Sequence, residues 1–261
     1  PDDIRAKLTA GTFTRIRVIG QGTAAIAGRS LAQLLRTMVD HRVQVDALPA
    51  TELSGFQLQL DMTDTLIIAI SQSGTTTDTN RTVDLARTRG ASVLAIVNRR
   101  GSELSAKADG VLFTSDGRDV EMSVASTKAF YSQVAAGALL ACAISAALGT
   151  GTNDERHQLL AALRTIPDAM FQVLALRPQI AEAARQFAPA RRYWTVVGNG
   201  FNAVAAEEVR IKLSELCYKS IACDITEDKK HIDLSCEPMI IVCATGLSDG
   251  TASDVAKEIA I

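Results

Sequence analysis

The sequence predicts an α/β fold with two doubly wound parallel-sheet subdomains of flavodoxin-like topology, the second of them incomplete. Three observations carry this prediction. Short β-branched runs alternate with amphipathic helical stretches, one strand is a continuous apolar run, and a glycine-rich turn occurs twice. Parallel strands joined by right-handed helical crossovers form a doubly wound sheet. The composition agrees, because 47% of the residues are hydrophobic and only 4% are aromatic, which suits helices packed on parallel strands.

The first half of the chain carries the clearest alternation of strands and helices. Candidate strands lie at residues 15–19, 43–48, 65–70, 92–97 and 111–113, and candidate helices at residues 25–40, 76–87 and 127–148. A break rich in glycine and threonine at residues 149–153 ends this first domain, which we expect over residues 1–150. One or two helices, interrupted near Pro167 and Pro178, form a connector over residues 151–190.

The glycine-rich turn of the first domain returns at an offset of 178 residues. Gly20-Gln21-Gly22 aligns with Gly198-Asn199-Gly200, and the apolar strand at residues 66–70 has a counterpart at residues 239–243. A repeat of this kind indicates duplication of one α/β unit. We therefore expect a second domain over residues 191–261, cut short in the helix after its third strand.

Charge and cysteine content exclude several classes of function. A net charge of −2 gives no field for nucleic acid or an anionic membrane, and no apolar run is expected to reach the ~20 residues of a membrane span. The five cysteines are odd in number and form no C-x-x-C pair, which predicts reduced thiols and a cytoplasmic protein.

The three histidines are scattered, so no metal site is expected. The chain begins at Pro1, and we expect it to be part of a longer protein.

A loop rich in hydroxyl groups follows the apolar strand. Ser71-Gln72-Ser73-Gly74-Thr75-Thr76 leads from this strand into a helix, where ligands of open α/β sheets bind. Gly74 allows close approach of the backbone, the helix start presents free N–H groups, and the hydroxyls add donors without positive charge. The loop therefore predicts a phosphate site. The alternative is an ordinary hydroxyl-rich helix cap and turn.

The first glycine-rich turn supports a rival interpretation. Residues 20–25 fit G-x-G-x-x-A between a strand and a helix, and Asp46 is expected to end the second strand, where a ribose-binding carboxylate would lie. Asp224 holds the equivalent place in the second copy. A dinucleotide-binding domain thus remains an alternative, although such a fold does not need the serine-threonine loop.

Three segments together resemble the sugar-isomerase (SIS) family, in particular the isomerase half of glucosamine-6-phosphate synthases. The loop at residues 71–76 is similar to the family's S-Q-S-G-E-T, with Thr75 in place of glutamate. Residues 124–130 are identical to its V-A-S-T-K-A-F, and Glu121 has the spacing of its glutamate. A third segment, from Glu208 to Lys230-His231, keeps the family's spacing of E-x3-K-x2-E-x14-K-H.

The resemblance implies a role for each matching residue. The expected phosphate ligands are Thr23, Ser71, Gln72, Ser73 and Thr76. Val124 and Ser126 are expected to line the sugar site. Glu215 matches the base that moves a proton between C1 and C2, Lys212 and Glu208 match its assistants, and His231 matches a ring-opening histidine given by the partner subunit of a homodimer. The implied reaction converts fructose 6-phosphate to glucosamine 6-phosphate without a cofactor, with ammonia from a glutaminase domain elsewhere in the full-length protein.

The residue types suit this chemistry, although each also has a plainer interpretation. Aldose–ketose exchange needs one carboxylate that faces two adjacent carbons, and histidine titrates near neutral pH. A lysine between two glutamates on one helical face is also an ordinary surface ion-pair pattern. Ile232-Asp233 replaces the family's Gly-Pro after the histidine, and Ala24 replaces a serine. A non-catalytic sugar-phosphate-binding SIS module and a related amino-sugar-phosphate deaminase or deglycase therefore remain as alternatives.

Overall fold

The computed structural model describes residues 1–116, 121, 123, 125–231 and 234–260. The chain divides into two compact units, Pro1–Leu163 and Arg164–Ile261. This division falls within the helical connector that the sequence places between two domains. Each unit is described by itself.

Unit 1 is a five-stranded parallel sheet covered by helices on both faces. Its strands are Arg15–Gly20 (β1), Gln44–Pro49 (β2), Thr65–Ser71 (β3), Ser92–Val97 (β4) and Gly110–Phe113 (β5). Its helices are Asp2–Thr9 (α1), Thr23–Met38 (α2), Ala50–Glu52 (α3), Thr77–Arg87 (α4), Glu103–Lys107 (α5) and Lys128–Leu148 (α6), with a π-helical turn at Leu53–Gln57. The strand order is β2-β1-β3-β4-β5, and every pairing is parallel. The predicted fold class is confirmed.

The central strand β3 divides the core of unit 1 into two halves. All seven of its residues are buried. Ile68 and Ile70 face a cluster formed with α1, α2 and α6, while Ile67 and Ala69 face the cluster formed with α4 and α5. Successive strand side chains point to opposite faces of a sheet, and each fully buried isoleucine contributes about 1.5–3 kcal/mol. This two-sided burial explains why the strand is apolar along its whole length.

Helix α6 is the longest helix that packs into this core. It is long and apolar enough to cross a membrane, by length and composition, so the expectation that no apolar run reaches that length is wrong. Half of its apolar stretch is buried inside the protein. Gly137 lets the helix approach α2, because a Cβ there would lie 3.3 Å from Leu31 Cβ. In unit 1, α6 therefore serves as a core helix.

The connector forms two helices that meet at a bend. Asn153–Ala175 (α7) and Arg177–Phe187 (α8) are inclined by 50° to each other. Helix α7 continues through Pro167, so the expected interruption there is wrong. Proline costs a helix interior roughly 3 kcal/mol, and the other residues of this 23-residue helix, together with a capping box at its start, offset that cost. Pro178, in the first turn of α8, is well placed because it gives up no helical hydrogen bond.

Unit 2 repeats the first three strands of unit 1 in the same order. Its strands are Trp194–Gly198 (β6), Ala222–Asp224 (β7) and Met239–Cys243 (β8), and its further helices are Phe201–Cys217 (α9) and Asp249–Ala260 (α10). Short 3-10 turns lie at Thr226–His231 and Leu234–Cys236. The parallel order β7-β6-β8 matches β2-β1-β3, as duplication predicts.

The two glycine-rich turns have almost the same backbone conformation. Gly22 has φ 55° and ψ −131°, and Gly200 has φ 57° and ψ −129°. A Cβ on Gly20 would lie 2.8 Å from the Ala24 carbonyl carbon, and one on Gly198 would lie 2.4 Å from the Asn202 oxygen. Both glycines of each turn are therefore required by the passage from strand to helix, whether or not a ligand binds.

Candidate functional site

The loop after β3 is held in shape by its own hydroxyl groups. The Gly74 N–H donates to Ser71 Oγ at 3.0 Å, and Thr76 Oγ1 lies 3.3 Å from the same atom. Ser73 Oγ accepts from both the N–H (3.2 Å) and the hydroxyl (3.0 Å) of Thr75. Because Ser73 Oγ already accepts twice, its own proton is left to donate. The loop thus presents hydroxyl donors on a fixed frame.

Gly74 is the residue around which this loop is built. Its φ is +66°, and a Cβ would lie 2.1 Å from Ser102 Oγ and 2.9 Å from Val97 Cγ2. Its carbonyl accepts from Asn80 Nδ2 at 3.1 Å and from the Leu104 N–H at 3.0 Å. The positive φ and the lack of space for a Cβ therefore both demand glycine here, and the hydrogen bonds to its backbone hold it in place. The plain helix-cap interpretation accounts for little of this, because Thr76, which precedes α4, makes no side-chain cap.

The turn after β1 lies beside this loop. Strands β1 and β3 are neighbours although β2 lies between them in sequence, so their carboxyl ends form the topological switch point where open α/β sheets bind ligands. Gln21 Nε2 bridges the two connections, at 3.3 Å from Asp78 Oδ2 in the first turn of α4 and 3.4 Å from Thr51 Oγ1. Thr23, the first residue of α2, therefore shares an edge of the sheet with the hydroxyl-rich loop.

The start of α6 lies at the same edge of the sheet. Helices α2 and α6 run side by side in the same direction. Gly137 packs on Leu31 near the middle of both helices, and Arg42, just after α2, donates to the Leu148 carbonyl at the end of α6 (3.2 Å). Ser126, two residues before α6, thus lies at the end of the helix pair where α2 also begins.

Of the two predicted sugar-site residues, the structure describes only one. Ser126 is half-buried and donates to Glu121 Oε2 at 3.2 Å. Val124 lies outside the described residues. The expected phosphate ligands Thr23, Ser71, Gln72, Ser73 and Thr76 are brought together at the edge of the sheet, while the expected catalytic residues lie in unit 2.

Helix α9 of unit 2 carries a lysine between two carboxylates. Lys212 Nζ lies 2.8 Å from Glu215 Oε2 and 3.6 Å from Glu208 Oε1. Exposure increases along the row, from 10% for the Glu208 side chain to 17% for Lys212 and 35% for Glu215. Glu208 is therefore the buried anchor, and Glu215 is the carboxylate that a ligand can reach. His231 is exposed at the end of its 3-10 turn, and in the described part of the chain it makes no hydrogen bond or ion pair with Glu215.

The corresponding edge of unit 2 is closed by amide side chains. Asn202, in the first turn of α9, exchanges two hydrogen bonds with Thr245 after β8, at 2.9 and 3.1 Å. Asn199 does the same with Thr226 after β7, at 2.6 and 3.1 Å. The connections after β7 and β8 are thus both hydrogen-bonded to side chains that follow β6.

In unit 1 the rival dinucleotide site finds no support in the position of its acidic residue. Asp46 does not end its strand, as the sequence suggested, but lies in the middle of β2. Its carboxylate pairs with Arg17 and lies 3.6 Å from Arg36. A carboxylate held between two arginines is poorly placed to accept from a ribose hydroxyl. Asp224 does end β7.

Several residues that shape the site were not predicted from the sequence. Ser102 and Asn80 fix Gly74 from α5 and α4, and Asn202 closes the edge of unit 2. Helix α5 is too short to show periodicity, although Ser102 before Glu103 is an N-cap signal. Among the described residues, no group of three His, Cys, Asp or Glu side chains is placed to hold a metal ion.

Comparison with known proteins gives one family. A model of the SIS domain matches residues 13–143. The chain is 35% identical over 210 residues to a glutamine–fructose-6-phosphate aminotransferase (isomerizing) of Halobacterium salinarum, covering 80% of this chain and 34% of that protein. It is 33% identical over 248 residues to the enzyme of the same name from Thermus thermophilus, covering 92% of this chain and 40% of that protein. The chain thus spans about a third of the length of these curated relatives.

A solved structure shares the fold over almost the whole chain. The C-terminal domain of glucosamine-fructose-6-phosphate aminotransferase from Francisella tularensis superimposes with a TM-score of 0.87, covering 99% of this chain and 71% of that one. The sequence identity is 24%, so this likeness concerns the fold alone.

Proposed function

We propose, from the premise that this chain belongs to the SIS domain family, that it is the isomerase domain of an enzyme that makes glucosamine 6-phosphate from fructose 6-phosphate. The chain is a phosphosugar-isomerase-type SIS domain related to the glutamine–fructose-6-phosphate aminotransferases. The observation that carries the proposal is the rigid hydroxyl-rich loop at the switch point of unit 1. The reaction, the substrate and the roles of the individual residues are what we propose.

The phosphate of the sugar binds in the loop at residues 71–76. Ser73 and Thr76 donate hydroxyl hydrogens, Gln72 and Thr23 add donors from either side, and the first turn of α4 presents backbone N–H groups. A helix N-terminus stabilises an anion by about 0.3–1 kcal/mol, and by more where it is partly buried. Ser71 acts mainly by supporting Gly74, since its oxygen accepts the Gly74 N–H. Such a neutral cradle binds a phosphate dianion through hydrogen bonds alone.

The proton transfer between C1 and C2 is assigned to Glu215. Its carboxylate takes the proton from one carbon, giving an enediol or enolamine, and returns it to the adjacent carbon. Help of this kind is worth about 10²–10⁴-fold in rate. Lys212 fixes the position of the Glu215 carboxylate through their 2.8 Å ion pair, and Glu208 holds Lys212 from the buried side. The three residues then act as one unit along the helix.

The remaining parts of the proposal concern groups outside one chain. His231 is exposed, and a residue that acts on the substrate of a partner subunit has to be exposed in the isolated chain. We assign His231 to ring opening across a homodimer. Ammonia would come from a glutaminase domain in the full-length protein, since the matched segments make up only 34% and 40% of two curated relatives. The five free cysteines favour a cytoplasmic setting.

Ligand binding and turnover by Glu215→Gln test the proposal. In the full-length protein, millimolar fructose 6-phosphate should raise the thermal midpoint of both the wild type and the variant. Only the wild type should exchange the C1 hydrogen of the sugar with D2O, because the amide cannot carry a proton. Glu182→Gln is the matched control, since Glu182 pairs with Arg185 at 2.9 Å with the same i, i+3 spacing on α8, and it should keep full exchange.

The other outcomes would select a different function or a different base. Binding of sugar phosphate without exchange in the wild type would identify a non-catalytic sugar-phosphate-binding module. Release of ammonia from glucosamine 6-phosphate would identify a deaminase. Exchange retained by Glu215→Gln would remove Glu215 from the role of base.

A further inference from the structure

Glu121 has a carboxylate that is fully used by neighbouring donors. Oε1 accepts from the N–H and the hydroxyl of Thr127, both at 2.7 Å, and Oε2 accepts from the Ser126 hydroxyl at 3.2 Å and the Ala129 N–H at 3.1 Å. A carboxylate offers about four acceptor sites, and all are filled here. The phosphate loop does not use this residue, and the proposed chemistry at Glu215 does not use it either.

These hydrogen bonds make Glu121 the cap of α6 from outside the helix. The helix begins at Lys128, and Thr127 before it makes no side-chain cap of its own. A negative charge at a helix N-terminus is favourable. Burial raises the pKa of the Glu121 carboxyl, but the hydrogen bonds from Thr127, Ala129 and Ser126 outweigh burial and leave the pKa below its usual value. The carboxylate therefore stays ionised at neutral pH.

The same contacts decide which way the Ser126 hydroxyl points. An ionised carboxylate only accepts, so the Ser126 proton is committed to Glu121 and its lone pairs face away from that bond. A sugar hydroxyl that meets Ser126 must then be the donor. Without Glu121, the Ser126 hydroxyl would rotate freely and the turn before α6 would lose the four contacts that close it.

The geometry points to Glu121 as the positioning residue of the sugar site, one that fixes Ser126 as a hydrogen-bond acceptor for a sugar hydroxyl. This inference rests on the proposed function. It concerns the sugar end of the ligand, whereas Ser71–Thr76 concerns the phosphate end. A change at Glu121 should therefore weaken the binding of a sugar phosphate and leave the binding of inorganic phosphate unchanged.

The test compares two ligands on four variants of the full chain by calorimetric titration. Glu121→Ala should weaken the binding of fructose 6-phosphate by about tenfold and leave the binding of inorganic phosphate within twofold, because only the sugar loses the fixed acceptor at Ser126. Ser126→Ala should weaken fructose 6-phosphate to a similar degree. The double variant should bind fructose 6-phosphate no more weakly than either single variant, because Glu121 acts through Ser126.

Glu155→Gln is the matched control for a purely structural role. Glu155 caps α7 in the same manner, accepting from the N–H (2.7 Å) and hydroxyl (3.0 Å) of Thr152. It lies beyond the far end of α6, a helix of 21 residues and so about 30 Å long. This variant should lower the thermal midpoint without changing either ligand's affinity.

The outcomes separate the inference from the proposed function. Unchanged fructose 6-phosphate affinity in folded Glu121→Ala, equal losses for both ligands, or additive effects in the double variant would each overturn the role of Glu121. Wild-type protein that binds inorganic phosphate but no sugar phosphate would overturn the proposed function, and the role of Glu121 with it. If Glu121→Ala does not fold, Glu121→Gln, which keeps one acceptor oxygen, gives the same comparison.

Discussion

The edges of the two sheets have the same architecture and opposite chemistry. In each unit the third strand leads into a helix through five residues, 72–76 in unit 1 and 244–248 in unit 2. The middle residue of each loop is a glycine with nearly the same φ, +66° at Gly74 and +68° at Gly246. Unit 1 surrounds its glycine with hydroxyl groups, whereas unit 2 places the Asn202 amide across the gap to Thr245.

The difference is the basis on which we propose a ligand site in unit 1 and a closed turn in unit 2. Asn202 aligns with Ala24 of unit 1, which is too short to reach the loop after β3. In unit 2 the amide donates to and accepts from the loop backbone, so the groups that a phosphate would meet are already paired. In unit 1 the space is left to hydroxyls that can still donate. The side chain at this position, together with Cys243 and Ala244 in the places of Ser71 and Gln72, distinguishes the two edges.

Alanine at the two loop glycines should give the largest difference between the units. Both substitutions place a Cβ at positive φ, which costs roughly 1–2 kcal/mol. Only at Gly74 would the Cβ also strike Ser102 Oγ, at 2.1 Å, because Gly246 has open space around it. Chemical denaturation should show a loss of about 1–2 kcal/mol for Gly246→Ala, and of about 2–5 kcal/mol for Gly74→Ala once overpacking is added.

Phosphate titration completes this pair. Gly74→Ala should abolish binding of inorganic phosphate at millimolar concentration, and Gly246→Ala should leave it unchanged. Equal losses of stability in the two variants would show that Ser102 yields and that the contact is not a constraint.

Removing one polar side chain from each edge should give a smaller and more selective effect. Ser71→Ala leaves the buried Gly74 N–H without its acceptor, and Asn202→Ala does the same to the Thr245 N–H. Ser71→Ala should cost about 1–3 kcal/mol of unfolding free energy, and Asn202→Ala about 0.5–1.5 kcal/mol, because Thr245 is exposed and water can replace the lost bond. Only Ser71→Ala should also weaken phosphate, by about tenfold. A weaker phosphate affinity in Asn202→Ala would mean that the edge of unit 2 takes part in binding.

The smallest effect is expected in the reactivity of the cysteine thiols, which reports how well the core of unit 2 excludes solvent. Burial raises the pKa of the Cys223 thiol to about 11, helped by the Glu207 carboxylate, and burial also raises the pKa of the Cys243 thiol. Because the thiolate is the reactive form, a raised pKa means slow alkylation at neutral pH, with a rate that rises about tenfold per pH unit until pH nears 11.

Peptide mapping after iodoacetamide treatment at pH 7.5 checks this order. The exposed Cys217 and Cys236 should be modified first, while Cys223 remains unmodified. Rapid labelling of Cys223 in folded protein would show that the strands of unit 2 open readily.

The sequence predicted the strands of unit 1 well because burial and periodicity are local signals. Residues 92–97 form β4 as predicted, and the other strands differ by a residue or so at their ends. Helix α7 was predicted less well, since proline is usually a helix breaker and tertiary context decides whether it is tolerated. The helix α1 was not predicted at all.

The hydroxyl-rich loop at residues 71–76 could be recognised from the sequence, whereas the residues that support it could not. Hydroxyl groups after an apolar strand are visible in sequence, but the approach of Ser102 to Gly74 joins residues that are distant in the chain. The bridge from Asn202 to Thr245 likewise spans 43 residues. Asp46 shows the opposite outcome, because the sequence suggested a ligand-binding role for it. Its ion-pair partner Arg17 on the neighbouring strand cannot be identified until the register of the sheet is known.

The central claim is that phosphate binds at the edge of unit 1 and not at that of unit 2. A titration with fructose 6-phosphate, followed by the backbone amide resonances of the labelled protein, tests it most directly. The account predicts large shifts at residues 72–76 and 22–24, and none at residues 244–248. Shifts of equal size in both loops, or shifts confined to residues 244–248, would contradict it.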